Sequence, residues 1–173
     1  MPTRQELILK RLTDEGQKTA AFFRTLTEAQ FTQQVYTTGP EWRARDLLAH
    51  IVSAERTFEP YLRDILSGGP GAPEDFDIDA YNAAETAKLT ETPTTELIPY
   101  FESARGVVIH LVRGMADGDF DRVGRHPWFG KVPLENMLKL VYRHTMLHER
   151  DIRKAIETGQ PVPHVEAAPP SAG

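Results

Sequence analysis

The stretch PLENMLKLVYRHTMLHERDI, residues 133–152, predicts one long amphipathic helix whose core-facing side contains two histidines. Pro133 suits the start of a helix, and Gly159 is expected to end it. The residues that recur on one face are Leu134, Met137, Val141, His144, His148 and Ile152. Burying two imidazoles costs free energy unless their nitrogens are paired, so this face is expected to bind something as well as to pack.

Three other segments have helical periodicity and complete the predicted architecture. The first follows a capping box formed by Thr3 and Glu6, the second begins near Trp42, and the third runs from near Thr94 to Met115. No run of alternating apolar and polar residues predicts a sheet. The predicted fold class is therefore all-α, a four-helix bundle.

The connections set the expected topology. Residues 67–96 are rich in Gly, Pro and Asp, which favours a long crossover or an active-site loop between predicted helices 2 and 3. If shorter connections join helices 1 and 2, and helices 3 and 4, each of these pairs is antiparallel. Helices 2 and 3 are then parallel, and helices 2 and 4 run in opposite directions. We assign residues 1–159 to the bundle and expect residues 160–173, a tail rich in Pro and Ala, to be disordered.

Composition excludes several classes of function. The 173 residues suit one domain, and the absence of cysteine rules out disulfides, thiolate metal ligands and a cysteine nucleophile. The formal charge of −5, with scattered lysines and arginines, gives no electrostatic footprint for nucleic acid or for a membrane surface. The first ten residues lack signal-peptide features, and no apolar run approaches the ~20 residues of a membrane helix. We therefore expect a cytoplasmic protein whose partner is a small-molecule substrate.

A third histidine permits a metal site. His50 lies at the edge of the apolar stripe of predicted helix 2, and helix lengths place it within about one turn of His148 in an antiparallel pair. Three neutral imidazoles on a rigid frame suit zinc, nickel or a similar divalent ion and leave a position for water or substrate. The predicted ligands are therefore His50, His144 and His148. On spacing alone, core histidines satisfied by hydrogen bonds are an equal alternative, and Thr145 stands where a zincin motif needs Glu.

Three segments resemble the DinB-like metal-binding proteins. The segment EWRARDLLAHIVSAE, residues 41–55, is similar to their Trp, Asp-Leu and His segment. The segment RHPWFGKVPLENMLKLVYRHTMLHERDI, residues 125–152, is similar to their HPxFG loop followed by H-x-x-x-H, and DIDAYNAAE, residues 77–85, to an Asp and Asn segment after helix 2. The resemblance spans residues 42–156. It implies a four-helix bundle with a long second connection, a homodimer, and a three-histidine metal site.

The same resemblance implies a reaction class. The family includes mycothiol-dependent maleylpyruvate isomerases and bacillithiol transferases, which implies a metal-dependent reaction of a low-molecular-weight thiol. The isomerase branch has a glutamate ligand where this chain has His144, and it carries a second domain that this chain does not show, so the resemblance argues against isomerase activity itself. Nothing in the resemblance implies DNA binding.

Five further polar residues are weaker candidates for the pocket or for contacts with the metal ligands. Asp46 and Glu55 fall on predicted helix 2, Asp151 on predicted helix 4, and Tyr81 and Asn82 in the long connection. For each of them an ordinary surface, ion-pair or loop-packing role is the favoured interpretation.

The remaining histidines are given no site role. His126, with Trp128 and Phe129, is expected to plug a loop against the bundle, whereas His110 and His164 have no companion at a useful spacing. The sequence thus predicts a divalent-metal-dependent enzyme, a thiol-dependent S-transferase acting on small electrophiles. A metal-dependent hydrolase of a small molecule and a non-enzymatic metal- or ligand-binding protein are the alternatives.

Overall fold

The computed structural model describes residues 1–165, and its four long helices form a bundle. This confirms the predicted fold class. The elements are α1 (Arg4–Thr25), α2 (Glu28–Phe31), α3 (Ala44–Leu66), α4 (Ile78–Lys88), α5 (Thr94–Arg113), a short 3₁₀ helix (Asp117–Asp121), β1 (Val123–His126), β2 (Gly130–Pro133) and α6 (Leu134–Thr158). Among the helices of residues 1–165, none is long and apolar enough to cross a membrane.

Long-range contacts give the directions of the four long helices. These contacts join Gln5 to Val112, Arg45 to Thr92, and Arg4 to Glu135. The first links the start of α1 to the end of α5, the second the start of α3 to the chain just before α5, and the third the starts of α1 and α6. The helix pair α3 and α5 is therefore parallel, while α3 and α6 run in opposite directions, as predicted. Both α1 and α3 pack on α5 and α6, so α1 and α3 lie at opposite corners.

The core consists of two apolar clusters, one toward each end of the bundle. The first cluster is built around Phe23, Leu47 and Phe101, and the second around Leu12, Val108, and Leu138. A buried polar layer lies between the clusters along the helices, and its members are Glu15, Thr19, His50, Ser53, Glu55, Arg105, Thr145, His148 and Asp151. The bundle therefore places its chemistry-bearing side chains at one level.

A small hairpin corrects the prediction that the chain has no sheet. Strands β1 and β2 pair antiparallel, with His126 opposite Gly130 and Val123 opposite Pro133. Each strand has four residues, which is too short for a recognisable alternation of apolar and polar side chains. Gly130 has a φ of 69°, a left-handed conformation that glycine adopts without a steric penalty. Glycine can therefore close the turn.

The long connection also contains a helix that the sequence did not predict. Helix α4 begins after Asp77, whose side chain accepts a hydrogen bond from the backbone N–H of Ala80. Of its eleven residues only Thr86 is buried, so the helix lacks the apolar stripe from which the other helices were recognised. It packs against α3 and so covers one side of the cavity described below.

The first residues of the predicted tail pack on the bundle. Val162 is buried, its N–H donates to the carbonyl of Val35, and its carbonyl accepts from the N–H of Thr37. The backbone N–H of His164 donates to the Thr38 hydroxyl. Disorder was expected from residue 160, but backbone pairing holds this part of the segment. Residues 166–173 lie outside the described residues.

Candidate metal centre

Three histidine rings from α3 and α6 meet in the polar layer. The Nε2 atom of His144 lies 3.0 Å from His50 Nε2 and 3.0 Å from His148 Nε2. All three ligand atoms lie within 4.8 Å of one another. His50 and His148 are buried and His144 is half-buried. The antiparallel crossing of α3 and α6 brings together the residues that the i, i+4 spacing and helix lengths had suggested.

The histidine cluster fits a divalent cation better than it fits mutual hydrogen bonding. A neutral imidazole nitrogen either donates or accepts, so Nε2 of His144 cannot form a full hydrogen bond with both neighbours. Zinc with nitrogen ligands at its usual distance separates those nitrogens by about 3.3 Å in a tetrahedral site, and an octahedral site separates adjacent ones by about 2.9 Å. The two spacings of 3.0 Å lie between these values. The residues present therefore suit a metal.

Burial keeps all three rings neutral. Desolvation lowers the pKa of His144 to about 4. Desolvation, reinforced by the neighbouring His144, lowers the pKa values of His50 and His148 well below 6.5. Neutral imidazoles at neutral pH have lone pairs free for a cation, since protons do not compete for them.

Tyr36 and Asp151 fix the orientation of His148. The Tyr36 hydroxyl oxygen lies 2.7 Å from Nδ1 of His148 and donates to Oδ2 of Asp151 at 3.0 Å. Burial, followed by the charge of Asp151, raises the pKa of the phenol, so Tyr36 keeps its proton and donates it to the carboxylate. With that proton committed, Nδ1 of His148 must be the donor to the phenol oxygen, which leaves Nε2 as a lone pair facing the cluster.

His50 is oriented by packing instead of by a carboxylate. Asp46, a weaker candidate for contact with the metal ligands, accepts from the backbone N–H and the guanidinium of Arg43 at the start of α3. Within the described residues, His50 Nδ1 is buried without a hydrogen-bond partner. The Trp42 indole lies against the ring, with centroids 4.7 Å apart. The contacts of Asp46 are therefore those of a helix cap, and its carboxylate does not orient the His50 ring.

A cavity of about 370 Å³ opens onto the three histidines. Its apolar wall consists mainly of Trp42, Phe58, Trp128, Phe129, Leu140 and Leu147. Of the described residues that line it, none is Lys or Arg, and Asp79 is the one carboxylate. A cation at the histidines would thus face a small, mostly apolar chamber.

The other four weaker candidates can now be placed. Asn82 lines the cavity, whereas the Tyr81 hydroxyl bonds to the hydroxyl of Thr57, which does line it. Glu55 does not reach the cavity wall, because Arg105 holds its carboxylate in a buried ion pair. Its candidate role as a pocket carboxylate is therefore wrong. Asp151 lies outside the wall but acts on His148 through Tyr36.

Three residues of the site escaped sequence reasoning. Tyr36 lies in a segment without helical periodicity and reaches His148 only through tertiary packing. His126 and His164 both line the cavity, and the His164 ring lies 4.4 Å from that of Tyr36 between centroids. The HPxFG resemblance pointed to the loop of His126 but not to a role for its ring, and nothing in the sequence signalled His164.

The family model of the DinB superfamily matches residues 11–152. The chain belongs to the DinB superfamily. The DinB match includes α3 and the two histidines of α6, so all three histidines of the candidate metal centre fall within it. A search of proteins with curated functions finds no significant match.

Three solved structures share this DinB fold. YfiT from Bacillus subtilis, described as a probable metal-dependent hydrolase with an unusual four-helix bundle topology, matches at a TM-score of 0.70 and 18% identity over 90% of this chain and 88% of that chain. A mycothiol-dependent maleylpyruvate isomerase matches at 0.72 and 15%, over 88% of this chain and 63% of that chain. An uncharacterised protein from Escherichia coli UTI89 matches at 0.72 and 13%, over 94% and 98%. At these identities the likeness shows the fold.

Proposed function

We propose that this chain is a divalent-metal-dependent enzyme that transfers a low-molecular-weight thiol to a small, mainly apolar electrophile. The observation that carries the proposal is the placement of three imidazole nitrogens, all within 4.8 Å of one another, at the wall of an apolar cavity. Three protein ligands leave a cation with room for a reactant, as in catalytic sites. Zinc or nickel is the proposed ion, because neutral imidazoles suit both.

The chain's own residues have distinct parts in this proposal. A divalent ion would supply Lewis acidity, which lowers the pKa of a thiol or water. His50, His144 and His148 would hold it, and the contact from Tyr36 would fix the His148 ring. The aromatic wall would bind the electrophile and exclude water from it. Because the chain has no cysteine, the reacting sulfur must come from a second substrate.

Hydrolysis is the second candidate, and the likeness to YfiT favours it. The same cation would then lower the pKa of a bound water in place of a thiol, with no change in the protein ligands. The description of YfiT as a probable metal-dependent hydrolase supports this alternative, although the likeness itself is one of fold. The mycothiol dependence of the isomerase in the same fold supports the thiol reaction.

Metal content and substrate consumption test the proposal together. We expect wild-type protein to bind about one equivalent of zinc or nickel by elemental analysis, and His148→Ala to lose it. The exposed His110 provides the matched control, since His110→Ala removes an imidazole remote from the cluster. With metal restored, a chloronitroaromatic electrophile should be consumed only when mycothiol or bacillithiol is present.

The outcomes separate the candidates. Consumption of an activated ester without any thiol would favour the hydrolase. Wild-type protein that binds no zinc or nickel, and keeps its fold in chelator, would contradict both metal-dependent reactions. Stoichiometric metal with no turnover of either substrate class would favour metal or ligand binding without catalysis. The homodimer implied by the family resemblance stays a prediction, which sedimentation analysis would check.

A further inference from the structure

The His126 ring is held in one tautomer by the turn between β1 and β2. Its Nδ1 atom accepts the backbone N–H of Trp128 at 3.0 Å and lies 3.3 Å from the backbone N–H of Phe129. A nitrogen that accepts cannot also carry a proton, so the ring hydrogen resides on Nε2. The turn therefore fixes His126 as a donor at its far nitrogen.

That donor has nothing to bind within the protein. Among the described residues, Nε2 of His126 is buried without a hydrogen-bond partner, although the ring lines the cavity and is only 4% exposed. A buried polar group left without a partner is disfavoured, so such a group calls for an explanation. The rings of Phe58 and His126 lie 5.3 Å apart, and those of Phe58 and His144 lie 6.4 Å apart. The Phe58 ring thus lies near both His126 and the histidine cluster.

The rest of the cavity defines what can accept that hydrogen bond. The wall presents the faces and edges of Trp42, Phe58, Trp128 and Phe129, which favour an aromatic or aliphatic body. No described Lys or Arg lines it to balance an anionic ligand, and Asp79 would repel one. A neutral N–H donor in such surroundings suits an uncharged oxygen acceptor.

We infer that Nε2–H of His126 donates a hydrogen bond to the oxygen of an uncharged, mainly apolar carbonyl compound bound in this cavity. His126 is then a binding residue that positions the electrophile beside the metal centre. The inference rests on the proposed function for the identity of the ligand as an electrophile. It does not need the metal for binding, which allows the two to be tested apart.

Binding of two matched probes to chelator-treated protein tests the inference. Acetophenone and α-methylstyrene share a shape, but a CH₂ group in the second replaces the carbonyl oxygen of the first. Trp42 and Trp128 are the two tryptophans of the chain and both line the cavity, so their indole N–H signals in NMR titrations report binding there. We expect acetophenone to bind about fivefold more tightly than α-methylstyrene. Benzoate, an anion of similar size, should bind more weakly than acetophenone.

A conservative variant assigns the preference to His126. In His126→Asn the amide oxygen can still accept the backbone N–H groups of the turn, but the donor at the position of Nε2 is lost. We expect the two probes to bind this variant within about twofold of each other. His110→Ala, which removes an exposed imidazole outside the cavity wall, should keep the preference. In wild-type protein, the Nε2–H proton of His126 should shift downfield with acetophenone and not with α-methylstyrene.

Each contrary result overturns the inference. Equal affinity for the two probes in wild-type protein, or a preference that survives in His126→Asn, would remove His126 from ligand recognition. An unshifted Nε2–H signal in the acetophenone complex would show that the donor does not meet the ligand oxygen, even if the variant failed to fold. Tighter binding of benzoate would overturn the uncharged class. None of these results depends on metal, whereas failure of the proposed function would appear as missing metal or missing turnover.

Discussion

The hydroxyl of Tyr36 links the carboxylate of Asp151 to His148 of the candidate metal centre. Tyr36 bridges Asp151 and His148, with oxygen to oxygen and oxygen to nitrogen distances of 3.0 and 2.7 Å. Because the phenol retains its proton, it transmits the effect of the carboxylate without itself becoming charged. Outer contacts of this kind hold a ligating ring in the tautomer and orientation that a cation needs. Tyr36 thus affects the candidate metal centre without being one of its ligands.

Replacing Tyr36 with Phe should therefore weaken metal binding while leaving the three ligands in place. We expect zinc affinity to fall by about tenfold, because His148 loses the partner of its Nδ1–H. Competition against a chromophoric chelator measures the change. Tyr142→Phe is the matched control, since Tyr142 is also buried on the bundle but belongs to the other core cluster. Unchanged affinity in Tyr36→Phe would show that the phenol does not orient the ring.

Local spacing made two residues of the site predictable, and tertiary packing hid the others. His144 and His148 share one helix face, so their juxtaposition follows from the geometry of a single element. His50 required an assumed antiparallel pairing and the family resemblance. Tyr36 and His126 lie in segments outside the long helices, where no periodicity ties a residue to its partners. Their roles became visible only from the hydrogen bonds.

At the scale of elements, a buried ion pair ties α5 to α3 and α1. The Arg105 guanidinium donates to both carboxylate oxygens of Glu55, at 2.9 and 2.5 Å, and to the carbonyl of Leu12 at 3.0 Å. A Cβ atom at Gly16 would lie 3.1 Å from the Arg105 side chain, so glycine there gives the arginine room. Glu55, for which the sequence favoured an ordinary surface, ion-pair or loop-packing role, is thus a structural link between helices.

Removing one charge of this pair should cost far more than removing one at the surface. Glu55→Gln leaves the buried guanidinium without its counter-charge, and we expect the free energy of unfolding to fall by about 3 to 5 kcal/mol. Glu102→Gln breaks the exposed pair with Arg24 and should cost less than about 1 kcal/mol. Urea denaturation in the presence of chelator measures both. Similar losses in the two variants would contradict the structural role of the buried pair.

Element prediction succeeded where the apolar period was long and failed where it was short. The four bundle helices each bury a stripe several turns long, which fixes their type from sequence alone. Helix α4 buries a single residue, and the two strands are four residues each, so neither has enough repeats to be recognised. Helix α4 and strand β1 also contribute residues to the cavity wall. Their contacts with the bundle, and not their own periodicity, determine their structure.

Across the whole molecule, the buried histidines make stability sensitive to acid. Burial lowers the pKa values of His50, His144 and His148, and that of His126 to about 4. In the unfolded chain these rings have ordinary values near 6.5 and bind protons more readily. The unfolded state then holds more protons than the folded state below pH 6.5, so stability is lost as the pH falls from there toward 4.

Metal-free protein should accordingly be less stable at pH 5 than at pH 7. His126 alone should account for about 2 kcal/mol of that difference, since its ring stays neutral in the fold across this interval. Thermal or urea unfolding in chelator at the two pH values measures the loss, and carboxylates with ordinary pKa values remain mostly ionised throughout. Equal stability at both pH values would contradict neutral, buried histidines.

The pairing of Val162 on either side of Tyr36 gives the C-terminal segment a mechanical connection to the metal centre. The backbone hydrogen bonds of Val162 to Val35 and Thr37 hold Tyr36, which lies between these two residues. The Tyr36 phenol in turn orients His148. A force on the chain after Val162 would act through its hydrogen bonds on Val35 and Thr37, and through Tyr36 on the His148 ring. Purification tags and fusion partners are therefore better attached before Met1 than after the last residue. An attachment that displaced Val162 would remove the backbone hydrogen bonds that hold Tyr36 in place.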